Sequence, residues 1–329
     1  MVHMRYPGVS VVMPVRDEEQ HLAASVAGVL DQAYEGELEL ILVVAPSQDR
    51  TRQVAERLAG EDRRIRLIDN PPGFTPHALN RGIEAAAHDI IVRVDAHGEL
   101  CPGYITTAVE LLEETGAANV GGRMDAQGRT AFEQTIAAAY NSRLGLGGGG
   151  FHLADTQAGP AQTVFLGVFR KDVLRAVGGF DEGMLRAQDW ELNYRLRKAG
   201  HLVYYSPSLR VVYRPRSSVR ALARQFFRTG QWRREVIRRH PETASFRYLA
   251  APATVLGLAA GTSAGALGAV SGRRWLMLGL LAPVSYGAVI VGGSVIKTLP
   301  AKVRVRLPFV LAVMHLSWGL GFLVGLRDR

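Results

Sequence analysis

The residues with the clearest chemical potential in this 329-residue chain close the run Ile90-Ile91-Val92-Arg93-Val94-Asp95-Ala96-His97. A carboxylate and an imidazole two positions apart can hold a divalent metal, through a hard oxygen and a borderline nitrogen. The apolar residues before them read as a buried strand, and ligands of open α/β sheets bind beyond the carboxyl ends of such strands. The plain alternative is a strand that runs into a solvated turn. A second candidate group, the carboxylates Asp189 and Glu191, heads the stretch Gln188-Asp189-Trp190-Glu191-Leu192. There the dipole of a helix's first turn is reason enough for acidic residues.

The elements that must position these groups alternate along the chain. Residues 9–15, 38–44, 65–68 and 90–94 have the apolar character of buried parallel strands. Between them, Leu22, Val26, Val29 and Leu30, then Val54 and Leu58, then residues 77–87 follow helical spacing. Ser47 or Asp49 is placed to cap the second of these helices. Such alternation calls for right-handed crossovers and a doubly wound, mostly parallel α/β sheet covered on both faces. A helix to about Glu114, a strand over 119–124, a helix over 132–144, a strand over 163–170 and helices over 171–177 and 186–199 extend the pattern. Between Gly145 and Gly150, five of six residues are glycine, which cannot pack a core. This stretch reads as a surface linker or as a lid that orders over substrate.

Lysine and arginine exceed aspartate and glutamate by nine and crowd between Arg210 and Arg247. Their place beside an apolar C-terminal third favours an anionic membrane surface or substrate. Arg220, Arg224 and Arg228 recur every four residues, with Leu222, Phe226 and Phe227 between them and Trp232, Val236 and Ile237 beyond. That is the pattern of a basic amphipathic helix in the membrane interface; no nucleic-acid motif accompanies it, so no nucleic-acid partner is expected. Residues 248–270 and 275–296 carry no charge, and in 307–326 only His315 can ionise. Each is long enough to cross a hydrocarbon core, which takes ~20 residues. Gly257, Gly261, Gly265 and Gly268 suggest close helix contact in the first span. The plan is therefore an α/β domain over 1–209, an interfacial segment over 210–247 and a three-span membrane domain over 248–329.

Lys297, Lys302, Arg304 and Arg306 lie between the last two spans, against two arginines between the first two. Positive-inside counting puts the more basic loop and the α/β domain in the cytoplasm, and the tail Arg327-Asp328-Arg329 outside. The apolar run at 9–15 is interrupted by Pro14 and followed by Arg16-Asp17-Glu18-Glu19, so it does not read as a secretory signal. The single cysteine, Cys101, excludes an internal disulfide and a multi-cysteine zinc site, and fits a reducing compartment.

Five stretches, taken in order, resemble the motifs of inverting family 2 glycosyltransferases of the GT-A fold. They are Val9-Ser10-Val11-Val12-Met13-Pro14-Val15-Arg16-Asp17-Glu18-Glu19, Asn70 with Ala78-Leu79-Asn80-Arg81-Gly82-Ile83, Asp95-Ala96-His97, Gly178-Gly179-Phe180-Asp181-Glu182, and Gln188-Asp189 with the helix to Gly200. The Arg-x-Asp-Ala-His form, together with the membrane segment, is similar to membrane-bound exopolysaccharide glucosyltransferases of the succinoglycan type. The resemblance spans residues 8–240. It implies a nucleotide-sugar donor, Mg2+ or Mn2+ and single displacement at the anomeric carbon. Carried over by position, Asp95 and His97 are the metal ligands and Asp189 the general base. Donor contacts fall to Pro14, Arg16, Glu18, Asn80, Arg93, Asp95 and Gln188. Gly147, Gly148, Trp190, Gln231 and Trp232 are acceptor or lid candidates.

The chain also departs from the family. Val44-Ala45-Pro46 replaces the acidic pair that reads the nucleobase, so a UDP-sugar is favoured by family habit alone. Gln188 stands for the Glu of the Glu-Asp pair, and His97 for the second Asp of Asp-x-Asp. Arg228-Thr229-Gly230-Gln231-Trp232 lacks the order of the processive Gln-x-x-Arg-Trp motif. The expectation is non-processive transfer to a lipid-linked or polysaccharide-precursor acceptor, at the cytoplasmic face of the plasma membrane. The alternatives are a polyprenyl-phosphate sugar synthase and a catalytically silent scaffold.

Overall fold

Four apolar strands, each joined to the next by a helix, build the parallel half of one sheet in the computed structural model. They are β1 (Val9–Val15), α1 (Leu22–Leu30), β2 (Leu38–Val44), α2 (Thr51–Glu61), β3 (Ile65–Asp69), α3 (Thr75–Ala85) and β4 (Ile90–Arg93). Val11 pairs with Leu40 on one side and Val92 on the other, and Leu42 pairs with Leu67. The structure describes residues 6–147, 150–295 and 298–326. Gly148, Lys297 and the tail Arg327-Asp328-Arg329, all of which carried expectations, lie outside the described residues.

The chain continues through β5 (Glu99–Leu100), α4 (Tyr104–Thr115), β6 (Asn119–Ala126), α5 (Ala131–Tyr140), α6 (Arg143–Leu146), β7 (Gly159–Pro160), β8 (Phe165–Arg170), α7 (Lys171–Ala176), α8 (Gln188–Lys198) and β9 (Val203–Tyr213). Sheet order is β3-β2-β1-β4-β8-β6-β9-β5, with β7 also on β9. From β4 outward β8, β6, β5 and β7 join by antiparallel pairs, so the sheet is mixed rather than mostly parallel. Strand β9 is an addition to the expected elements. Its Ser206-Pro207-Ser208 centre breaks the apolar run that would have marked it.

Val9, Val11, Met13, Leu40, Leu42, Val92 and Val94 form one buried cluster with Leu22, Val26 and Val29 of α1 and Ile105, Val109 and Leu112 of α4. Each such side chain contributes roughly 1.5–3 kcal/mol relative to exposure, which fixes the strand ends beyond it. On the other face, a Cβ on Gly82 of α3 would lie 2.3 Å from Val12. Glycine is what lets that helix approach.

The chain separates into two compact units, Met1–Asp125 with Leu153–Tyr213, and Ala126–His152 with Arg214–Arg329. The second is helical. Beyond α5 and α6 it contains α9 (Val219–Arg239), α10 (Phe246–Ser271), a 3-10 segment Arg274–Leu280 leading into α11 (Leu281–Gly292), and α12 (Ala301–Val324). Three stretches, Phe246–Ser271, Arg274–Gly292 and Ala301–Val324, are long and apolar enough to cross a membrane. The last begins six residues before the expected span. Lys302, Arg304 and Arg306 therefore form its first turns instead of a loop, in keeping with the good helix propensity of lysine and arginine.

The apolar face of α9, with Leu222, Phe226, Gly230 and Val236 buried, packs on α12. A Cβ on Gly230 would lie 2.0 Å from the Trp318 carbonyl, and one on Gly321 1.9 Å from that of Phe227. Small residues bring the two backbones together, so protein covers the side of α9 that its sequence offers to lipid. Arg234 donates to the Leu323 carbonyl at 2.6 Å and Gln231 to that of Gly325 at 2.7 Å. These bonds satisfy carbonyls that the end of α12 leaves open. Gly261, Gly265 and Gly268 meet Gly279, Leu280 and Leu276, as their spacing suggested, while nothing lies within 4 Å of a Cβ on Gly257. His315 reaches the Leu144 carbonyl at 2.7 Å and the Tyr286 hydroxyl at 3.1 Å.

Candidate active site

The loops after β1, β2 and β4 meet at the carboxyl edge of the parallel half-sheet, and hydrogen bonds knit them together. The Asp17 amide donates to Ser47 Oγ at 3.1 Å, the Gln48 amide to Asp17 Oδ1 at 2.7 Å, and the Glu18 amide to Thr51 Oγ1 at 2.7 Å. Asp49 accepts the amides of Thr51 at 3.0 Å and Glu19 at 3.2 Å. It thus holds the start of α2, while Ser47 serves the β1 loop instead. His97 and Glu18 pair at 2.7 Å and tie the β4 loop to the β1 loop.

At the centre stands Arg93, whose side chain is only 6% exposed. Its Nη2 donates to Asp95 Oδ1 at 3.0 Å and its Nη1 to Asp189 Oδ1. One guanidinium from the end of β4 therefore binds both the strand-end carboxylate and the helix-head carboxylate. Burial acts to raise the pKa of Asp95, but the charges of Arg93 and His97 and the Arg93 hydrogen bond outweigh it. The carboxyl is held below its ordinary range and is an anion at neutral pH.

Helix α8 is positioned by its other side chains. Arg195 grips the buried Glu191 through two nitrogens at 2.7 and 2.8 Å, and also donates to the Gly179 carbonyl at 2.7 Å. Asn193 accepts from Asn119 of β6 at 2.6 Å. Ala187, immediately before the helix, sits at φ 59°, and Asp17 after β1 at φ 53°. Both lie in the left-handed region that an L side chain enters only at a cost, and both flank the site, where such strain tends to collect. The Glu191–Arg195 fork was missed in the sequence, although its four-residue spacing was there to read.

The expected donor residues are dispersed in role. Pro14 pairs with Val43 inside the sheet, and Arg16 donates to the Gly73 carbonyl at 3.1 Å. Asn80 donates to the Phe180 carbonyl at 2.8 Å and accepts the Phe180 amide at 2.8 Å, so its amide group holds the Gly178–Glu182 loop. Gln188 opens α8. Trp190 is nearly buried and stacks on Tyr194 at 5.9 Å. Gly147, Gln231 and Trp232 belong to the helical unit.

Among the described residues no three histidine, cysteine or acidic side chains converge on a point where they could cage a metal. Mg2+ and Mn2+ at diphosphate sites need no cage, because they take one or two carboxylates and complete their shell with phosphate oxygens and water. Asp95, ionised and 30% exposed, fits that kind of site. His97 already commits Nδ1 to Glu18.

Residues 10–178 match the family model described as glycosyl transferase family 2. The chain is 30% identical over 322 residues to succinoglycan biosynthesis protein ExoA of Rhizobium meliloti, a match that covers 97% of this chain and 94% of that protein. It belongs to glycosyltransferase family 2, and is a GT-A enzyme of nucleotide-sugar transfer. It is also 25% identical over 240 residues to a Methanococcus voltae protein, covering 70% of this chain and 74% of that one. That relative is dolichyl N-acetyl-alpha-D-glucosaminyl phosphate 3-beta-D-2,3-diacetamido-2,3-dideoxy-beta-D-glucuronosyltransferase. The fold matches mannosyltransferase PcManGT of Pyrobaculum calidifontis, solved with GDP-Man and Mn2+, at TM-score 0.64 and 18% identity over 97% of this chain and 88% of that one.

Proposed function

We propose that the enzyme moves a sugar, with inversion and one residue at a time, from a nucleoside-diphosphate donor to a hydroxyl of a lipid-linked or polysaccharide-precursor acceptor. The reaction takes place at the cytoplasmic face of a membrane. The observation that carries this reading is the Arg93 guanidinium shared by Asp95 and Asp189. One guanidinium brings the carboxylate meant for the leaving diphosphate and the carboxylate meant for the acceptor hydroxyl to a single site.

Asp189 takes the proton of the acceptor hydroxyl as its oxygen bonds to the anomeric carbon. The bond from that carbon to the diphosphate breaks, and its electron pair leaves with the nucleoside diphosphate. A divalent cation bound at Asp95, with His97 as the second candidate ligand, would offset the charge gathering on that leaving group. Arg93 orients both carboxylates and helps keep Asp95 ionised. PcManGT, with Mn2+ and GDP-Man bound, supports the choice of cation and donor class. The succinoglycan and dolichyl-phosphate terms in the names of the two relatives support the acceptor class. Lys302, Arg304 and Arg306 at the head of α12 support a cytoplasmic catalytic unit.

Asp189→Asn tests the assignment. Transfer should fall by about 100- to 10,000-fold, the range for loss of a general base, with donor affinity by calorimetry close to wild type. Turnover at the wild-type rate would remove Asp189 from the base role.

A further inference from the structure

Helix α9 carries seven arginines and a single acid, Glu235. Arg238 and Arg239 take that acid, each at 2.7 Å, and Arg234 closes the end of α12. Arg233 is arranged differently. Its guanidinium carbon lies 4.0 Å from the centroid of the Tyr248 ring, and that of Arg247 lies 5.4 Å from the same centroid. Two like charges thus converge on one aromatic ring.

The Arg247 charge is felt by both neighbouring groups. Burial pushes the Arg233 guanidinium down to about 10; Tyr248 opposes the shift and Arg247 adds to it. Buried His152, bonded to the Gly147 carbonyl at 2.9 Å, is pushed down to about 4, chiefly by burial and further by Arg247. The corner also coincides with the start of α10, where Ser245 makes no side-chain cap. The first amides of that 26-residue helix therefore add their own partial positive charge. Exposed Phe246 and Leu249 lie on the same turn, where an apolar membrane-crossing helix begins.

We propose that Arg233 and Arg247, set against Tyr248 at the head of α10, form a binding site for the phosphate group of a membrane lipid, with the lipid's hydrocarbon chain running along α10. Guanidinium groups bind phosphate oxygens through paired charge-assisted hydrogen bonds. A soluble phosphate would have no use for the exposed apolar residues beside the cations. The lipid-linked acceptor of the function proposed above is one source of such a phosphate, and an anionic phospholipid is the other.

The test uses the full chain in phosphatidylcholine nanodiscs and a fluorescent short-chain polyprenyl diphosphate, with no sugar donor present. Arg233→Gln and Arg247→Gln should each weaken binding about 10-fold, the loss expected for one charge-assisted contact. Arg220→Gln, on the same helix but away from Tyr248, should leave binding unchanged. Phosphatidylglycerol that displaces the probe at equal mole fraction identifies bulk anionic lipid as the occupant; failure to displace it identifies the diphosphate-linked lipid. Wild-type affinity in both glutamine variants overturns the site, as does an equal loss in Arg220→Gln, which would reduce the effect to general surface charge. Thermal midpoints control for folding; should Arg233→Gln unfold, Arg233→Lys and Arg247→Gln carry the test. Because the assay involves no turnover, its failure leaves the Asp189 reading untouched, and failure of Asp189→Asn leaves the lipid site untouched.

Discussion

The two units of the chain carry opposite charge. The α/β unit has 19 lysines and arginines against 26 acidic residues, whereas the helical unit has 20 against four. In the α/β unit one buried cation, Arg93, serves two carboxylates. In the helical unit cations outnumber acids, and several rest instead on carbonyls and aromatic rings, as Arg234, Arg233 and Arg247 do. The contrast separates two tasks. Carboxylates held by a few fixed cations are suited to metal and proton chemistry, while an excess of cations beside apolar helices is suited to anionic lipid.

The strongest way to break this division is Asp95→Ala. Donor affinity in the presence of Mn2+ should fall about 100-fold, or ~2.7 kcal/mol, with little change when the metal is withheld. Calorimetry with and without metal decides; equal metal-dependent binding in the variant would detach the cation from the acidic unit.

Gly321→Val addresses the other side of the comparison. Its Cβ would fall 1.9 Å from the Phe227 carbonyl, a backbone atom, so α9 and α12 must separate. Overpacking of this kind costs about 1–3 kcal/mol. Trp190 is the only tryptophan of the α/β unit, and Trp232, Trp275 and Trp318 belong to the helical unit. Fluorescence melting should therefore fall in a variant that keeps the last three and hold steady in one that keeps Trp190 alone. A midpoint unmoved in both would mean that the glycine contact does not hold α9.

The smallest effect expected is one of pH. Burial, assisted by Arg247, lowers His152 from 6.5 to about 4 in the folded chain, so the unfolded chain takes up the proton first as pH falls. Stability from this group is complete above about 6.5 and is lost between there and about 4, at roughly 1.4 kcal/mol per pH unit. His152→Gln should flatten that slope in thermal melts at pH 7 and 5.5. An equal decline in the variant would assign the acid sensitivity elsewhere.

Much of this architecture is legible in local sequence. Strands β1, β2 and β4 and helices α1, α4 and α8 follow from apolar periodicity, and the spans from uncharged length, because burial acts residue by residue along a single element. The antiparallel half of the sheet is not legible in that way, since β8 and β6 pair through registers that no local pattern encodes. The amphipathic face of α9 was evident, but its cover was not: lipid and α12 present the same apolar surface to it. Within the site, Asp95 and Asp189 each stood out at the end of an element, where a turn or a helix dipole explained them equally well. What singles them out is a guanidinium that reaches Asp189 across 96 positions of sequence. Periodicity and composition are properties of one segment, and they settled which elements form and where charge collects. The Arg93 pairing depends on the end of β4 and the head of α8 being brought together across the sequence, so only the tertiary structure could decide it.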